Sequence, residues 1–529
     1  MGLQDGVSAW NLPTVQQPVL APQLLLNALR LDGARRMLWS AEGEAWTGAD
    51  IEGRIRRLVQ VLRAEGIGRA TRVALLSLNR PEVLFVDFAL AFQGAVFVPL
   101  HPKGSVEDFA YVVADAEVEV LIFDPGLFSP AAAALGSRFP DRLRLLSFGP
   151  CSIAPDLNSL AERIGAPPLV VPPIRADDVA RLAYSGGTTG RPKAIQLTHR
   201  VIASTIAIMS SEWDWPDPPR QLLCAPLSHS GGLCFLPTIL RGGAVHVLPG
   251  FEPLAVMETI QRRRINCILL VPTMIYALLD HPRLSSFDLS SLETIFYGAA
   301  PMSTARLREG IRRFGPVFFQ FYGQSEAPMT VCVLRRHEHD LERDDRLASC
   351  GRPVPWVHVA LHDVEGRDVL DGEPGEICVR GPIVMPGYLN QPEQTAEVLR
   401  HGWLRTGDIA VRDRQGYLRI VDRAKDMIIT GGFNVYPREV EDALSSHPSV
   451  LSAGVFGLAD DHWGEIVSAA VVLRPGAAPA AEALIAHVRA LKGPVQAPKR
   501  LFFLPNLPLT PLGKPDKKAL RRIASTASS

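Results

Sequence analysis

At 529 residues the chain exceeds what one hydrophobic core organises, so two or more units are expected. Lys+Arg and Asp+Glu both total 55, and this zero balance argues against nucleic acid or an anionic membrane as the main partner, because both need a clustered basic face. An apolar share of 47% with 21% charged residues fits a soluble globular protein.

The start, MGLQDGVSAWNLP, lacks a basic stretch followed by an apolar run, so no signal peptide is expected. Short apolar runs then predict strands at Val73–Leu78, Ala95–Leu100 and Glu119–Phe123. Leu182–Tyr184 runs into Ser185-Gly-Gly-Thr-Thr-Gly190-Arg-Pro-Lys193, and Ala194–Leu197 reads as a returning strand. Leu222–Cys224 runs into Pro226-Leu-Ser-His229. Further strands are expected at Ala244–Leu248 and Cys267–Val271, and amphipathic helices at Pro253–Arg264 and Thr304–Phe314. The longest apolar stretch, Cys267–Leu279, holds Pro272 and is too short to span a bilayer. Thr294–Tyr297 leads into Gly298-Ala-Ala-Pro301, and Val317–Phe321 into Tyr322-Gly-Gln-Ser-Glu326. The charged run from Arg335 to Arg346 reads as a solvated loop, and residues 408–425, dense in Asp and Arg, read as a linker. Beyond it, Pro437 opens a short helix, strands follow at Leu451–Phe456 and Ile466–Leu473, and a helix and tail end the chain. Seven scattered cysteines without a CxxC pair predict reduced thiols in a cytoplasmic protein.

Apolar strands alternating with helices predict an α/β fold with largely buried sheets. Ligands bind such sheets at the carboxyl ends of strands, so four polar turns at strand ends point to one shared site. In Ser185–Lys193 three glycines let successive amides converge on anionic oxygens, with Ser185, Thr188 and Thr189 as hydroxyl donors and Lys193 as a mobile charge. The spacing is not that of a Walker A loop, because the lysine comes three residues after Gly190. A plain hairpin is the bland alternative. Gly323–Ala327 lacks the closing glycine of a nucleophile elbow, and His337-Glu-His339 lacks zinc-protease spacing.

Together these motifs resemble the adenylate-forming superfamily of acyl-CoA synthetases, peptide-synthetase adenylation domains and firefly-type luciferases. The resemblance runs from about residue 25 to 520 and takes in Ser185–Lys193, Gly298–Pro301, Tyr322–Glu326, Thr406-Gly-Asp408, Asp422–Asp426 and Leu509–Lys514. It implies an ATP site of Ser185, Gly186, Gly187, Thr188, Thr189, Gly190, Lys193, Gly298, Ala299, Ala300, Tyr322, Gly323, Ser325, Asp408 and Arg423. Within it Glu326 would hold Mg²⁺, Tyr322 would stack on adenine, Ser325 would contact the α-phosphate, and Asp408 would accept from the ribose hydroxyls. Lys514 would stabilise the charge that shifts during acyl transfer to the α-phosphorus. His229, Ser230, Gly231, Pro328 and Met329 would line the acyl pocket, with Gly298 and Gly323 as further wall positions. Gly231 and Gly232 either leave room for an acyl group or admit a close backbone. Lys425 matches the hinge, and Gly431–Gly432 the loop beside the thiol path. Where many relatives read Pro-Lys-Gly, this chain has Pro192-Lys193-Ala194, which restricts the loop end.

The implied fold is a large N-terminal domain (about 1–421) of layered α/β sheets with a β-barrel-like subdomain, and a small mobile α+β domain (about 422–529). The implied reaction joins an apolar or aromatic carboxylic acid to AMP with release of pyrophosphate, then to CoA. ATP, Mg²⁺ and CoA are the expected small-molecule partners, with no nucleic acid and no integral membrane segment. Delivery to a carrier protein or an amine is the rival acceptor reading, a non-catalytic nucleotide-binding relative is the other rival, and both a monomer and a homodimer stay open.

Overall fold

The structure is a computed structural model that describes residues 19–169, 174–184, 192–423, 426–431, 433–460, 463–509 and 515–526. A six-stranded sheet runs in the order Arg144–Ser147, Val120–Phe123, Arg72–Leu76, Val96–Pro99, Val179–Tyr184, Ala194–Thr198. Its strands are parallel except the last, which returns antiparallel to Val179–Tyr184 as expected. A nine-stranded sheet has Arg220–Leu223, Cys267–Leu270, Thr294–Gly298 and Phe318–Tyr322 as consecutive parallel neighbours. Every residue of Val96–Pro99, Val120–Phe123, Cys267–Leu270 and Thr294–Gly298 is buried, which is why these strands read as unbroken apolar runs. The largest apolar core joins the facing sides of both sheets, with Leu75, Phe97 and Ile122 from one and Leu223, Leu269 and Phe296 from the other.

Local signals set the helix starts. Proline occupies the first turn of Pro81–Gln93, Pro253–Arg263, Pro272–Leu279 and Pro437–Ser445, where its missing N–H is no loss. Thr47 with Asp50, and Ser105 with Asp108, form reciprocal caps that satisfy orphan amides.

A five-stranded antiparallel sheet follows, made of His358–His362, Pro374–Arg380, Leu399–Arg400, Trp403–Arg412 and Leu418–Arg423. The stretch expected to be a linker is therefore, up to Arg423, a β-hairpin turning at Gly416 (φ 84°). Its charges hid it: Leu404, Ala410, Leu418 and Val421 are buried together with the carboxylates Asp408 and Asp422, while Arg405, Arg412, Asp413, Arg414 and Arg419 stay partly or fully exposed. The last sheet takes in Ile428–Thr430, Phe433–Val435, Val450–Asp460, Gly464–Leu473 and Arg500–Phe503. It has its own core, where Val455, Val467 and Val471 meet Val440, Leu444, Leu484 and Val488 of helices Pro437–Ser445 and Ala481–Lys492. No helix among the described residues is long and apolar enough to cross a membrane. All seven cysteines are free thiols, six of them buried.

The charged run 335–346 also departs from expectation. Glu338 and His339 are buried. Glu338 accepts from Tyr417, from Arg352 and from the Arg335 amide, and His339 Nε2 lies 2.9 Å from the Tyr297 hydroxyl. Satisfied charges pack inside, so composition alone misjudged this segment.

Burial pushes the imidazoles of His199, His246 and His339 down to about 4. An unfolded histidine titrates near ~6.5. Between those values the unfolded chain binds more protons than the native one, so stability is full above about pH 6.5 and falls toward pH 4, by roughly 1.4 kcal/mol per pH unit per histidine. The midpoint of thermal unfolding should drop across this window, and His339→Gln should flatten the slope by about one proton. An unchanged slope in that variant would place the proton uptake elsewhere.

Candidate active site

The site is built where neighbouring strands end together. Gly298 pairs with Phe321 in parallel register, so the turns Gly298–Pro301 and Tyr322–Glu326 leave the sheet side by side. The backbone there is forced: Ala299 and Met329 both adopt φ 63°, a left-handed conformation costly for residues with a Cβ. A Cβ on Gly298 would stand 2.3 Å from the Phe321 carbonyl oxygen, and one on Gly323 would stand 2.8 Å from the Met329 backbone. These glycines admit close backbone and open no space.

Behind the turns lies a buried polar network. The Tyr322 hydroxyl donates to Asp408 Oδ2 at 2.7 Å, and Gln324 Nε2 donates to the same oxygen at 2.8 Å and to the Thr406 carbonyl at 2.8 Å. Asp408 is 5% exposed, and the Gly407 amide before it is fixed by Glu376 Oε1 at 2.8 Å. Burial and the Asp408 carboxylate hold the Tyr322 phenol well above its ordinary range, so it stays a donor. Arg423 lies opposite Asp408 in the hairpin register, so its backbone belongs to this corner, while its side chain is outside the described residues.

A second junction surrounds Glu326. Tyr388 donates its hydroxyl to Glu326 Oε1 at 2.9 Å, and the Met385 amide donates to the Glu326 carbonyl at 2.9 Å. Lys193 Nζ sits 4.8 Å from the centroid of the same Tyr388 ring. Burial and Glu326 raise the Tyr388 phenol far above its usual value. Ser325 is exposed and Glu326 half-buried, whereas Pro328 and Met329 are buried. Strands Val179–Tyr184 and Ala194–Thr198 hold the two ends of the phosphate loop, but Ser185, Gly186, Gly187, Thr188, Thr189 and Gly190 lie outside the described residues.

His229 caps the turn after Arg220–Leu223. Its Nδ1 is 2.9 Å from the Ser228 hydroxyl, and its ring meets His101 edge-on at 5.0 Å. Enclosure, with His101 and Arg181 adding repulsion, pushes it down to about 4, so it is a neutral imidazole near pH 7. Ser230 is half-buried and Gly231 buried. Cβ atoms on Gly231 and Gly232 would meet the Ala225 and Leu227 carbonyl oxygens at 2.5 Å, which settles their role as close backbone contacts. In the last sheet Gly431 is exposed at φ 56° and donates to the Trp463 carbonyl at 2.9 Å. Gly432, Lys425 and Lys514 lie outside the described residues.

The structure thus brings Lys193, Gly298, Tyr322, Glu326 and Asp408 together from segments far apart in sequence. It adds Tyr388 and His101, which carry no signature of their own in the chain, and it gives Gln324, inside the Tyr322–Glu326 motif, the part of holding Asp408.

Comparison with known proteins follows the same lines. Residues 27–389 match the family described as AMP-binding enzyme, and residues 439–514 match the AMP-binding enzyme C-terminal domain. The medium/long-chain-fatty-acid–CoA ligase FadD8 of Mycobacterium tuberculosis is 46% identical over 520 residues, covering 96% of this chain and 90% of that one. A feruloyl-CoA synthase from Amycolatopsis is 39% identical, covering 91% and 94%. Among solved structures, the amide bond synthetase McbA from Marinactinospora thermotolerans superposes with a TM-score of 0.88 at 34% identity, covering 94% and 99%.

Proposed function

Because the chain belongs to the AMP-binding enzyme family, we propose that it is an acid–CoA ligase that activates an apolar or aromatic carboxylic acid with ATP. The carboxylate attacks the α-phosphorus, the bond to pyrophosphate breaks, and the CoA thiolate then displaces AMP from the acyl-adenylate. The observation that carries this reading is the pair of junctions at the strand ends, Tyr322–Asp408–Gln324 and Glu326–Tyr388–Lys193. One offers a fixed carboxylate beside an aromatic ring, suited to a nucleoside. The other sets a carboxylate and an ammonium around one phenol, suited to a phosphate chain with its cation.

In this mechanism the Ser185–Gly190 loop and Lys193 cradle the β- and γ-phosphates, and Ser325 binds the α-phosphate. Tyr322 stacks on adenine, with Gly298, Ala299, Ala300 and Gly323 as the backbone around it, and Asp408 and Arg423 hold the ribose side. No group of three or more His, Cys, Asp or Glu side chains that could hold a metal occurs among the described residues. A single half-buried carboxylate at Glu326 fits Mg²⁺, which keeps waters and completes its shell with phosphate oxygens. Bound there, Mg²⁺ would neutralise phosphate charge. Lys514 acts on the charge shifting to the α-phosphate. His229, neutral, borders the acyl group together with Ser230, Gly231, Pro328 and Met329. The large unit extends to about residue 421 and the small one begins at 422; Lys425 is the hinge that exchanges Lys514 for the Gly431–Gly432 loop between half-reactions.

Tyr388 orients both Glu326 and Lys193 in this scheme. Tyr388→Phe should keep the fold and raise the Mg²⁺ concentration for half-maximal ATP binding by about 10-fold, the loss of one charge-assisted hydrogen bond. Calorimetric titration of ATP at several Mg²⁺ levels reads this directly. An unshifted Mg²⁺ dependence would remove Tyr388 from the site.

Pyrophosphate release across an acid panel, with and without CoA, tests the reading. Acid-dependent release with thioester formation supports it. The similarity to an amide bond synthetase favours an amine as the second acceptor to try, and adenylate that accumulates while CoA is ignored would transfer the assignment to an amine or a carrier protein.

A further inference from the structure

Helix Val106–Asp115 contacts the chain on both sides of the phosphate loop. Tyr111 and Asp115 stand one turn apart, so they share a stripe of the helix surface. The Tyr111 hydroxyl donates to the Pro192 carbonyl at 2.9 Å, and Asp115 Oδ2 accepts from the Tyr184 hydroxyl at 2.7 Å. The two phenol rings meet edge-on, 6.4 Å apart at 84°. Tyr184 ends strand Val179–Tyr184 and Pro192 precedes strand Ala194–Thr198, so one helix face meets the chain where it leaves the sheet and where it returns. The helix itself is held firmly. Ser105 and Asp108 cap its start reciprocally, and Phe109, Ala110, Val112 and Val113 pack into the core that also holds Leu121, Phe123 and Leu182. At its other end the Val113 carbonyl accepts from Arg142 at 3.0 Å and the Ala116 carbonyl from Arg72 at 2.9 Å, which ties the last turn to neighbouring segments.

The hairpin ladder stops at the Tyr184–Ala194 pair, so it does not orient the peptide between Pro192 and Lys193. Proline has no N–H, and its carbonyl, its one backbone hydrogen-bonding group, is what Tyr111 holds. That carbonyl lies in one plane with the Lys193 amide, so fixing it sets the direction in which Lys193 departs. Lys193 Nζ stands 4.8 Å from the Tyr388 ring, whose hydroxyl donates to Glu326. At the outgoing end, burial and the Asp115 carboxylate raise the Tyr184 phenol far above its ordinary range, so it stays a donor. Resting on the ATP-activating reading above, we infer that Tyr111 and Asp115 are positioning residues for the phosphates of ATP, Tyr111 acting through Pro192 and Lys193 and Asp115 through Tyr184. Neither touches a reacting atom. They hold both ends of the loop against one rigid helix, so its donors meet the β- and γ-phosphates without first being reoriented. AMP lacks those phosphates, so the effect belongs to ATP and not to the adenosine end.

The test is calorimetric binding of ATP and of AMP, with Mg²⁺ and without acid, to the full-length variants Tyr111→Phe and Asp115→Ala. Tyr111→Phe should raise the Kd of ATP about 5-fold, the loss of one neutral hydrogen bond, and Asp115→Ala about 10-fold, because that bond has a charged acceptor. AMP should bind both variants as it binds the wild type. Asp115→Asn keeps an acceptor oxygen for Tyr184 and should restore most of the ATP affinity. In turnover the KM for ATP should rise while the KM for the acid stays in place. Because Asp115 acts through Tyr184, adding Tyr184→Phe to Asp115→Ala should weaken ATP no further. Equal weakening of ATP and AMP makes the helix a support of the whole site and overturns the positioning role. An ATP affinity unchanged in either variant removes that residue from it. Wild-type protein that binds ATP but releases pyrophosphate with no acid in the panel overturns the ligase reading instead, and leaves the comparison of ATP with AMP to decide the positioning role.

Discussion

Asp408→Ala is expected to lower acyl-adenylate formation by about 100-fold or more and to destabilise the protein by about 1–3 kcal/mol. Two separate losses combine in this variant. The carboxylate accepts from Tyr322 and Gln324 at a position 5% exposed to solvent. Removing it takes the carboxylate acceptor from the buried Tyr322 phenol and leaves Gln324 Nε2 with the Thr406 carbonyl alone, and that desolvation sets the stability cost. It also removes the charged acceptor proposed for the ribose, and hydrogen bonds to a charged group contribute about 1.5–3 kcal/mol each. Asp408→Asn separates the effects, because it keeps the volume and one acceptor oxygen but no charge; it should recover most of the stability and little of the ATP affinity. Chemical denaturation alongside ATP titration measures both. Full ATP affinity in Asp408→Ala would remove the ribose assignment, and unchanged stability would contradict the network.

Lys514→Ala should behave in the opposite way. Because its proposed action is on transition-state charge, the substitution should leave folding and ATP binding near wild type while slowing pyrophosphate release by about 10²–10³, the usual cost of one donor aimed at that charge. The thioester step from supplied acyl-adenylate and CoA should stay close to normal, because Lys514 is proposed to have left the site by then. Single-turnover measurements of each half-reaction distinguish the two. Equal loss in both steps would make Lys514 a general structural residue, and near wild-type adenylation would take it out of the mechanism.

Much of the scaffold was legible because the buried parallel strands announce themselves. Val96–Pro99 and Cys267–Leu270 have no polar face to interrupt the run, and the turn residues at their ends mark where ligands approach. The hairpin ending at Arg423 was not legible, since a half-buried antiparallel pair rich in Asp and Arg has the texture of a solvated linker. Charge pairing hid Glu338 and His339 in the same manner. The glycines were visible as positions, but their purpose depends on carbonyl oxygens from neighbouring segments. Tyr388 stands 62 residues from Glu326 and Trp213 stands 117 from Thr330, so each pairing exists only after the strands assemble.

The hairpin that presents the phosphate loop has one more consequence. The Gln196 amide donates to the Gly387 carbonyl and the Leu389 amide to the Ala194 carbonyl, so the strand Ala194–Thr198 is paired along both edges. A strand stitched on two sides has a single permitted frame, and dropping one residue from it would exchange every inward for every outward side chain. Lys193, one residue before this strand, is carried by the same frame, so the pairing that holds Ile195 against Tyr388 also holds the Lys193 ammonium 4.8 Å from the Tyr388 ring.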